Sequence, residues 1–437
     1  MRMPILKYFL AALILIAGDA SRAQAEFYSE AELHRDFAQL LDFIEETHPD
    51  LERGADLAAL AQAASRARAD LRDGMDQAQA WMAMAQINPW LGDGHSGIRR
   101  PSALLERHRD QLLPLAVEFD AAHRLIVSAA PSDSGLQPGT AVSAINGILL
   151  AQINARLLAR MRGESALLRE RLLARYFSKY HWLAFGASES YRITTADGRT
   201  ISIAAGRPPS ASAAPFLLRF LQSNAYLEIR SFEQSLAQQF ETFLAESFKQ
   251  IDQSGSTGLI IDLRANGGGA RELSDRLMSY LTDQPYTPIS AIKARVAEEN
   301  IARLPGAELG QVVALTFTQT VTPPAELAHR FTGQVYILIG PQSYSQAVVF
   351  AATVQDHGVG QIVGEPTASP ANQTAQVKRL RATHSGIEGL APLYVFTRAS
   401  GQPGTDPLTP DILIADTIGD PMQSVRELIA RISGSGQ

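Results

Sequence analysis

The sequence predicts an α/β protein of several domains, because three hydrophobic patterns follow one another along its 437 residues. Helical patterns fill residues 27–90, short β runs fill residues 112–205, and strands alternate with helices after residue 226. Alternating strands and helices predict a parallel or mixed sheet with helices packed on it. We therefore divide the chain into a leader (1–25), a helical bundle (26–104), a β-rich domain (105–207) and an α/β core (208–437).

The composition excludes several classes of function. Hydrophobic residues make up 46% and charged residues 19%, which is typical of a folded globular protein. The chain has no cysteine and no H-E-x-x-H motif, so the sequence predicts neither a disulfide framework nor a metal or cofactor site. A net charge of −6 argues against a nucleic-acid partner.

The first 25 residues have the pattern of a cleavable secretory signal peptide. Arg2 and Lys7 precede an apolar run from Tyr8 to Ala17, and Ala23-Gln24-Ala25 forms an A-x-A cleavage site. The apolar run is too short to span a bilayer, although an uncleaved anchor remains the alternative. Cleavage after Ala25 removes three basic residues and one acidic residue, which takes the net charge from −6 to −8. We expect a periplasmic or secreted protein without a stable membrane span.

A glycine-rich turn with one histidine ends the helical region. The third helical pattern, Met75 to Ile87, is followed by Leu91-Gly92-Asp93-Gly94-His95, in which Asp-Gly predicts a tight turn. A histidine fixed in such a turn can act as a general base. The alternative is an ordinary surface histidine in a polar loop.

The β-rich region contains Leu136-Gln137-Pro138-Gly139, followed by Val142 and by Ile145-Asn146-Gly147. Asn-Gly predicts a two-residue hairpin turn. The pattern resembles the strand–turn–strand segment of PDZ domains, which bind an extended peptide as an added strand. Because an insertion separates Met161 from Gly186, a PDZ-like spacer without peptide binding is the second interpretation.

The segment from Gln334 to Thr367 predicts a strand, a turn, a helix and a second, parallel strand. Ser345 lies at the turn, where α/β proteins place ligands and where the helix dipole is positive. One interpretation is a nucleophile, and the other is a helix N-cap. Ser343 is a competing nucleophile in the same Ser-Tyr-Ser triplet, but Ser345 directly precedes the helix.

A second glycine-rich turn, Asn266-Gly267-Gly268-Gly269, follows the buried strand Gly258 to Leu263. Glycines let backbone N–H groups approach a ligand closely. A phosphate-binding turn lacks support, because neither G-x-G-x-x-G nor a P-loop Lys-Ser/Thr is present. We prefer an oxyanion hole over a tight turn without a ligand.

Three motifs in this order, GLIIDLRANGGG, SYSQAVVFAATVQDHGVGQIVGEPT and TPDI, resemble the serine peptidase family of C-terminal processing (tail-specific) proteases and the tricorn protease core. The resemblance spans about residues 221–414. It implies a ClpP/crotonase-like α/β peptidase core with a mixed sheet, and it implies a serine nucleophile at Ser345.

The resemblance also indicates which base to expect. One branch of the family uses a lysine shortly after G-E-x-T, but Pro370 stands there and Lys378 lies further on. The tricorn-like branch uses a histidine in an L-G-x-x-H motif, which His95 matches. Its acid position is Gly404 here, so Asp406 is our substitute, ahead of Asp93, which we consider too close in sequence to face His95. His384 is a second choice for the base.

The resemblance therefore implies a serine-type peptidase that acts on peptides or unfolded proteins. Ser345 would attack the carbonyl carbon, and His95 would accept its proton and return it to the leaving amine. The N–H groups of Gly268 (or Gly267) and Gln346 would bind the oxyanion. A catalytically inactive, peptide-binding relative is the alternative, whereas a lipase-type hydrolase would need G-x-S-x-G around the serine.

Overall fold

The computed structural model of the chain describes residues 27–209, 214–417 and 419–434. The predicted signal peptide lies outside these residues. The α-helices are α1 (Glu30–Thr47), α2 (Leu57–Asp70), α3 (Gln77–Met84), α4 (Ser102–Arg107), α5 (Leu150–Leu158), α6 (Ala166–Arg175), α7 (Phe177–Phe185), α8 (Ala237–Ser254), α9 (Arg271–Ser279), α10 (Gln346–Asp356) and α11 (Gln423–Gly434). The strands are β1 (Gly97–Arg99), β2 (Ala116–Phe119), β3 (Leu125–Ala129), β4 (Val142–Ile145), β5 (Ile148–Leu149), β6 (Ser190–Thr195), β7 (Thr200–Ala204), β8 (Phe216–Leu221), β9 (Asn224–Ile229), β10 (Gly258–Asp262), β11 (Ile289–Arg295), β12 (Val312–Thr316), β13 (Gln334–Ile339), β14 (Gln361–Gly364), β15 (Thr374–Arg381), β16 (Glu388–Arg398) and β17 (Ile412–Leu413).

Helix α1 shows how the sequence determines the helical region. Ser29 accepts the amide of Glu32, whose carboxylate accepts the amide of Ser29, and this capping box fixes the first turn. The helix ends at His48, whose backbone is extended because a proline follows it. Its buried face, which includes Phe37, belongs to a core that continues into the β-rich region. One continuous core therefore spans the predicted domain boundary between residues 104 and 105, and this boundary stays a prediction.

The β-rich region contains a four-stranded sheet in the order β5-β4-β6-β7 and a β2–β3 hairpin. Asn146 and Gly147 both have positive φ, +52° and +80°, and form the predicted turn between β4 and β5. Helices α6 and α7 fill the insertion and pack beside β2. Arg171 of α6 donates to the carbonyl oxygen of Phe119 at 2.8 Å, so a side chain of the insertion binds the backbone at the end of β2.

The α/β core contains a six-stranded mixed sheet in the order β17-β14-β13-β10-β9-β8. All its strand pairs are parallel except β8–β9, which confirms the predicted mixed sheet and the parallel β13–β14 pair. Side chains alternate between the two faces: Leu259 and Ile261 pack with helices α8 to α10, whereas Ile260 packs with α11. The sheet is therefore covered by helices on both faces. The turn between β13 and α10 follows the last residue of β13, so it lies at the carboxyl edge of the sheet.

A second sheet joins the two ends of the chain. Strand β16 pairs with β15 and β11 and also with β1, in which Gly97 lies opposite Leu390. Because β1 begins two residues after His95, this pairing carries the predicted base to the α/β core. Across the described ranges, no helix has both the length and the apolar character needed to cross a bilayer.

Candidate active site

Ser345 lies at a sharp turn between β13 and α10. Its backbone has φ +53° and ψ −124°, a conformation that costs a non-glycine residue roughly 1–3 kcal/mol. The residue stands at the N-cap position, but its side chain makes no capping hydrogen bond. Instead Oγ lies 3.2 Å from Nε2 of His95. The N-cap interpretation therefore does not account for this serine, and the strained turn is explained by the direction it gives to the hydroxyl.

His95 reaches the serine from the turn before β1. The residue before it must be glycine, because a Cβ on Gly94 would lie 2.3 Å from the hydroxyl oxygen of Tyr344. The His95 side chain is only 13% exposed and stacks beside the Tyr344 ring, with 4.8 Å between the ring centroids. Burial lowers the pKa of His95, and the charge of Asp93 opposes this only in part. The imidazole is therefore neutral at neutral pH, as a general base requires.

Asp93 is a buried carboxylate with several hydrogen-bond donors. Its Oδ2 lies 3.1 Å from Nε2 of His48 and accepts the hydroxyl of Ser96 at 2.8 Å, while its Oδ1 accepts the amide of His95 at 2.8 Å. Burial acts to raise the pKa of Asp93, but the hydrogen bond from His48 and the charge of His95 outweigh it and hold the pKa well below its usual range. Asp93 is therefore ionised at neutral pH.

Thr374 connects this carboxylate to the imidazole. Its hydroxyl donates to Oδ1 of Asp93 at 2.9 Å and lies 2.8 Å from Nδ1 of His95. An ionised carboxylate can only accept, so the threonine proton points to Asp93 and its oxygen must accept from Nδ1–H. The proton of His95 is thereby held on Nδ1, which leaves the lone pair of Nε2 facing Ser345.

Tyr344 and Glu164 form a second branch of the network. The Tyr344 hydroxyl lies 3.2 Å from Nδ1 of His95 and donates to Oε1 of Glu164 at 2.9 Å. Burial, together with the charge of Asp93, raises the pKa of Glu164 to about 7. Asp93, His95 and Glu164 offer one potential metal ligand each within 4.8 Å of one another, but the Thr374 and Tyr344 hydroxyls already bind His95 Nδ1 and the two carboxylates.

The glycine turn after β10 lies directly against the serine. A Cβ on Gly268 would come within 2.7 Å of the Ser345 Cβ, and its φ of +94° also favours glycine. However, the Gly268 amide donates to Oδ1 of Asn266 at 2.8 Å, so it is not free to bind an oxyanion in this arrangement. No hydrogen bond among the described residues uses the amides of Gly267 and Gln346. The predicted donor Gly268 is therefore occupied here, and the alternative donor Gly267 stays a prediction.

The other sequence-based candidates lie away from the histidine. Asp406 has an exposed side chain, and no hydrogen bond or ion pair in the described part of the chain joins it to His95. The structure places Asp93, and not Asp406, beside His95, because the turn lets Asp93 accept the His95 amide and reach the ring through Thr374. His384 lies beside Glu32, with its Nδ1 3.8 Å from that carboxylate. Ser343 is fully buried, and its hydroxyl donates to the carbonyl oxygen of Leu263 at 2.8 Å, which is a structural role.

Five residues of the network were not predicted from the sequence, namely His48, Ser96, Glu164, Tyr344 and Thr374. Tyr344 adjoins Ser345 in the Ser-Tyr-Ser triplet, so proximity to the nucleophile was an available signal. Thr374 is 279 residues from His95, and nothing in its local sequence marks it.

Several solved structures share this fold. The chain is similar to mature CPAF, with a TM-score of 0.66, 14% identity and coverage of 93% of this chain and 99% of that chain. It is also similar to the photosystem II D1 C-terminal processing protease, with a TM-score of 0.50, 14% identity and coverage of 94% and 98%. At this identity the likeness shows the fold alone. A comparison with curated proteins finds no match.

The fold and the site together define the class of protein, a serine-type peptidase. Residues 223–414 of the α/β core match the model of peptidase family S41.

Proposed function

We propose that the protein hydrolyses peptide bonds with Ser345 as the nucleophile and His95 as the general base. The observation that carries this proposal is the 3.2 Å distance between Ser345 Oγ and His95 Nε2 at a strained turn beside a glycine-rich loop. The tautomer set by Thr374 supports it, since Nε2 is then the acceptor. His95 takes the hydroxyl proton as Oγ attacks the carbonyl carbon, and it returns this proton to the leaving amine.

Asp93 is the acid that supports this pair. When His95 becomes an imidazolium, the carboxylate oxygen 3.8 Å from Nδ1 stabilises the new charge, and Thr374 relays the hydrogen bond. The amides of Gln346 and Gly267 bind the carbonyl oxygen as it becomes negative, and each such donor is typically worth 10²- to 10³-fold in rate. Peptides and unfolded proteins are the substrates that the family implies.

The proposal is tested with a fluorophosphonate probe, which labels activated serines. We expect the wild-type protein to be labelled and to cleave an unfolded protein, and we expect Ser345→Ala and His95→Ala to do neither. Ser343→Ala is the matched control and retains labelling, because that hydroxyl makes only structural hydrogen bonds. Labelling that persists in Ser345→Ala, or a wild-type protein that is neither labelled nor active, overturns the assignment.

We further propose that the protein acts in the periplasm or as a secreted protein. Support comes from the signal-peptide pattern of residues 1–25 with Ala23-Gln24-Ala25 as the cleavage site. Fractionation of the producing cells followed by N-terminal sequencing tests it: the mature chain should begin at Glu26 outside the cytoplasm. An intact Met1 chain in the cytoplasmic fraction contradicts it.

For residues 105–207 we propose a PDZ-like unit that does not bind peptide by strand addition. The hairpin turn at Asn146-Gly147 supports the PDZ-like arrangement. Helices α6 and α7 cover β2, and Arg171 and Ser178 bind the carbonyl oxygens of Phe119 and Leu115. In a crystal of Ser345→Ala with a substrate peptide, we expect no peptide strand along β2, and a peptide paired with β2 would refute this.

A further inference from the structure

A cavity of about 1270 Å³ lies apart from Ser345 and His95. One wall is formed by the end of α2 and by α3, and the other by α4 and the last turns of α5 and α7. The loop between β15 and β16 closes one side. None of the catalytic network lines this cavity, so the proposed peptidase chemistry does not explain it.

The cavity is positively charged although the chain is acidic. Two aspartates, Asp70 and Asp76, face five arginines, which leaves a local charge of +3 in a chain of net charge −6. Within the described residues, none of these arginines is within ion-pair distance of a carboxylate. We call this site the arginine cavity, after Arg72, Arg107, Arg156, Arg160 and Arg381.

Two of these arginines, Arg156 and Arg160, are held in place without an ion-pair partner. Arg160 donates from Nε to the carbonyl oxygen of Met82 at 3.1 Å and from Nη1 to that of Arg156 at 3.0 Å. Burial, followed by the charge of Arg156, lowers the pKa of Arg160, which indicates repulsion between the two side chains. Arg156 itself stacks over the Phe185 ring at 5.1 Å. A bound anion would relieve this repulsion, and fixed guanidinium groups lose little entropy when they bind a carboxylate.

The remainder of the lining is apolar and adaptable. Met75, Met82 and Leu104 lie between the arginines, and Trp182 stacks on His108 with 4.6 Å between the ring centroids. Methionine and aromatic side chains accept varied apolar groups. A polyanion such as nucleic acid would meet the acidic remainder of the surface and the two cavity aspartates, whereas a short segment with carboxylates and apolar side chains matches both parts of the lining.

We propose that the arginine cavity binds an extended acidic segment of another protein, with carboxylates on the arginines and apolar side chains on the methionines and aromatic rings. This binding site is separate from Ser345 and does not depend on catalysis. For a peptidase, such a site holds a protein at a second point and favours partners with an acidic, partly apolar stretch.

The test measures binding of a fluorescein-labelled dodecapeptide of alternating glutamate and leucine by fluorescence anisotropy. The protein carries Ser345→Ala, so that binding is measured without cleavage. We expect saturable binding that weakens as salt is added. A control peptide in which lysine replaces glutamate, the lysine–leucine peptide, should show no comparable binding. The double variant Arg107→Glu/Arg156→Glu should raise the Kd at least tenfold.

The matched control is Arg192→Glu/Arg303→Glu, which makes the same charge change at exposed arginines outside the cavity. It should leave the Kd within about twofold, and equal unfolding temperatures show that both double variants fold. Absence of binding, equal weakening by both double variants, or equally tight binding of the lysine–leucine peptide overturns the proposal. Tighter binding of a single-stranded oligonucleotide than of the acidic peptide also overturns it, because it would assign the cavity to nucleic acid. These outcomes are independent of whether Ser345 is catalytic, since that serine is absent throughout.

Discussion

Replacing Thr374 with valine removes the hydroxyl that joins His95 to Asp93 and preserves a branched side chain of similar shape. His95 Nδ1 loses its partner at 2.8 Å and retains only the Tyr344 hydroxyl at 3.2 Å. Asp93 Oδ1 loses one donor and retains the His95 amide. We therefore expect the fold to persist while the imidazolium formed during the reaction is less well stabilised.

The magnitude follows from the hydrogen bond that becomes charged. A hydrogen bond to a charged group contributes about 1.5–3 kcal/mol, and Tyr344 replaces part of it. A net loss of about 2 kcal/mol corresponds to a roughly 30-fold lower rate, since about 1.4 kcal/mol changes a rate tenfold. The pKa of His95 that governs the acid side of the pH–rate profile should also fall, because the charged ring is destabilised.

The assay is the second-order rate constant of fluorophosphonate labelling between pH 5 and 9, which does not require a known substrate. Thr374→Ser is the matched control: it retains the hydroxyl and should stay within about threefold of the wild type. If Thr374→Val is labelled as fast as the wild type and the acid side of its pH–rate profile is unchanged, Thr374 does not position His95. Equal losses in both variants would assign Thr374 a packing role instead.

Three further predictions concern the same network. Asp93→Asn should lower the labelling rate roughly 10²- to 10³-fold, because a charge 3.8 Å from Nδ1 contributes up to about 4 kcal/mol at an effective dielectric constant of about 20, whereas Asp406→Asn should change it less than twofold. Gly268→Ala should abolish labelling, since its Cβ would lie 2.7 Å from the Ser345 Cβ. Glu164 has a folded-state pKa of about 7 against an ordinary 4.5, so its contribution to stability is complete below pH 4.5 and is lost as the pH rises through 7. Glu164→Gln should therefore gain about 3 kcal/mol of stability relative to the wild type over that interval.

Each of these predictions has a clear contrary result. A larger loss in Asp406→Asn than in Asp93→Asn would restore Asp406 as the acid. Normal labelling of Gly268→Ala would show that the glycine turn is not in contact with the serine. For Glu164→Gln, thermal unfolding at several pH values should show a difference that grows with pH, and a constant difference would mean that this carboxyl does not titrate near 7.

The sequence predicted the elements that carry local signals. Asn146-Gly147, the strand before Ser345 and the helix after it each follow from periodicity and turn chemistry, and the structure confirms them. The parallel β13–β14 pair follows equally, because a strand–helix–strand unit of this length allows little else.

The acid of the network could not be predicted in the same way. The sequence ranks Asp93 below Asp406, because two residues of separation predict that its carboxylate does not easily face the His95 ring. In the structure Asp93 accepts the His95 backbone amide. The Thr374 hydroxyl, which comes from a distant part of the chain, joins the Asp93 carboxylate to the His95 ring. Such a link depends on strand register in a sheet that joins distant segments, and sequence patterns report periodicity and not register.

The three residues of β1 make the position of His95 depend on a strand far along the chain. Among the described residues, the strand Gly97–Arg99 pairs with β16 alone, which lies almost 300 residues later in the chain. A chain that ends before β16 lacks the strand that pairs with β1, so nothing in this sheet aligns His95 with Ser345. C-terminally truncated products that lack β16 are therefore expected to be inert.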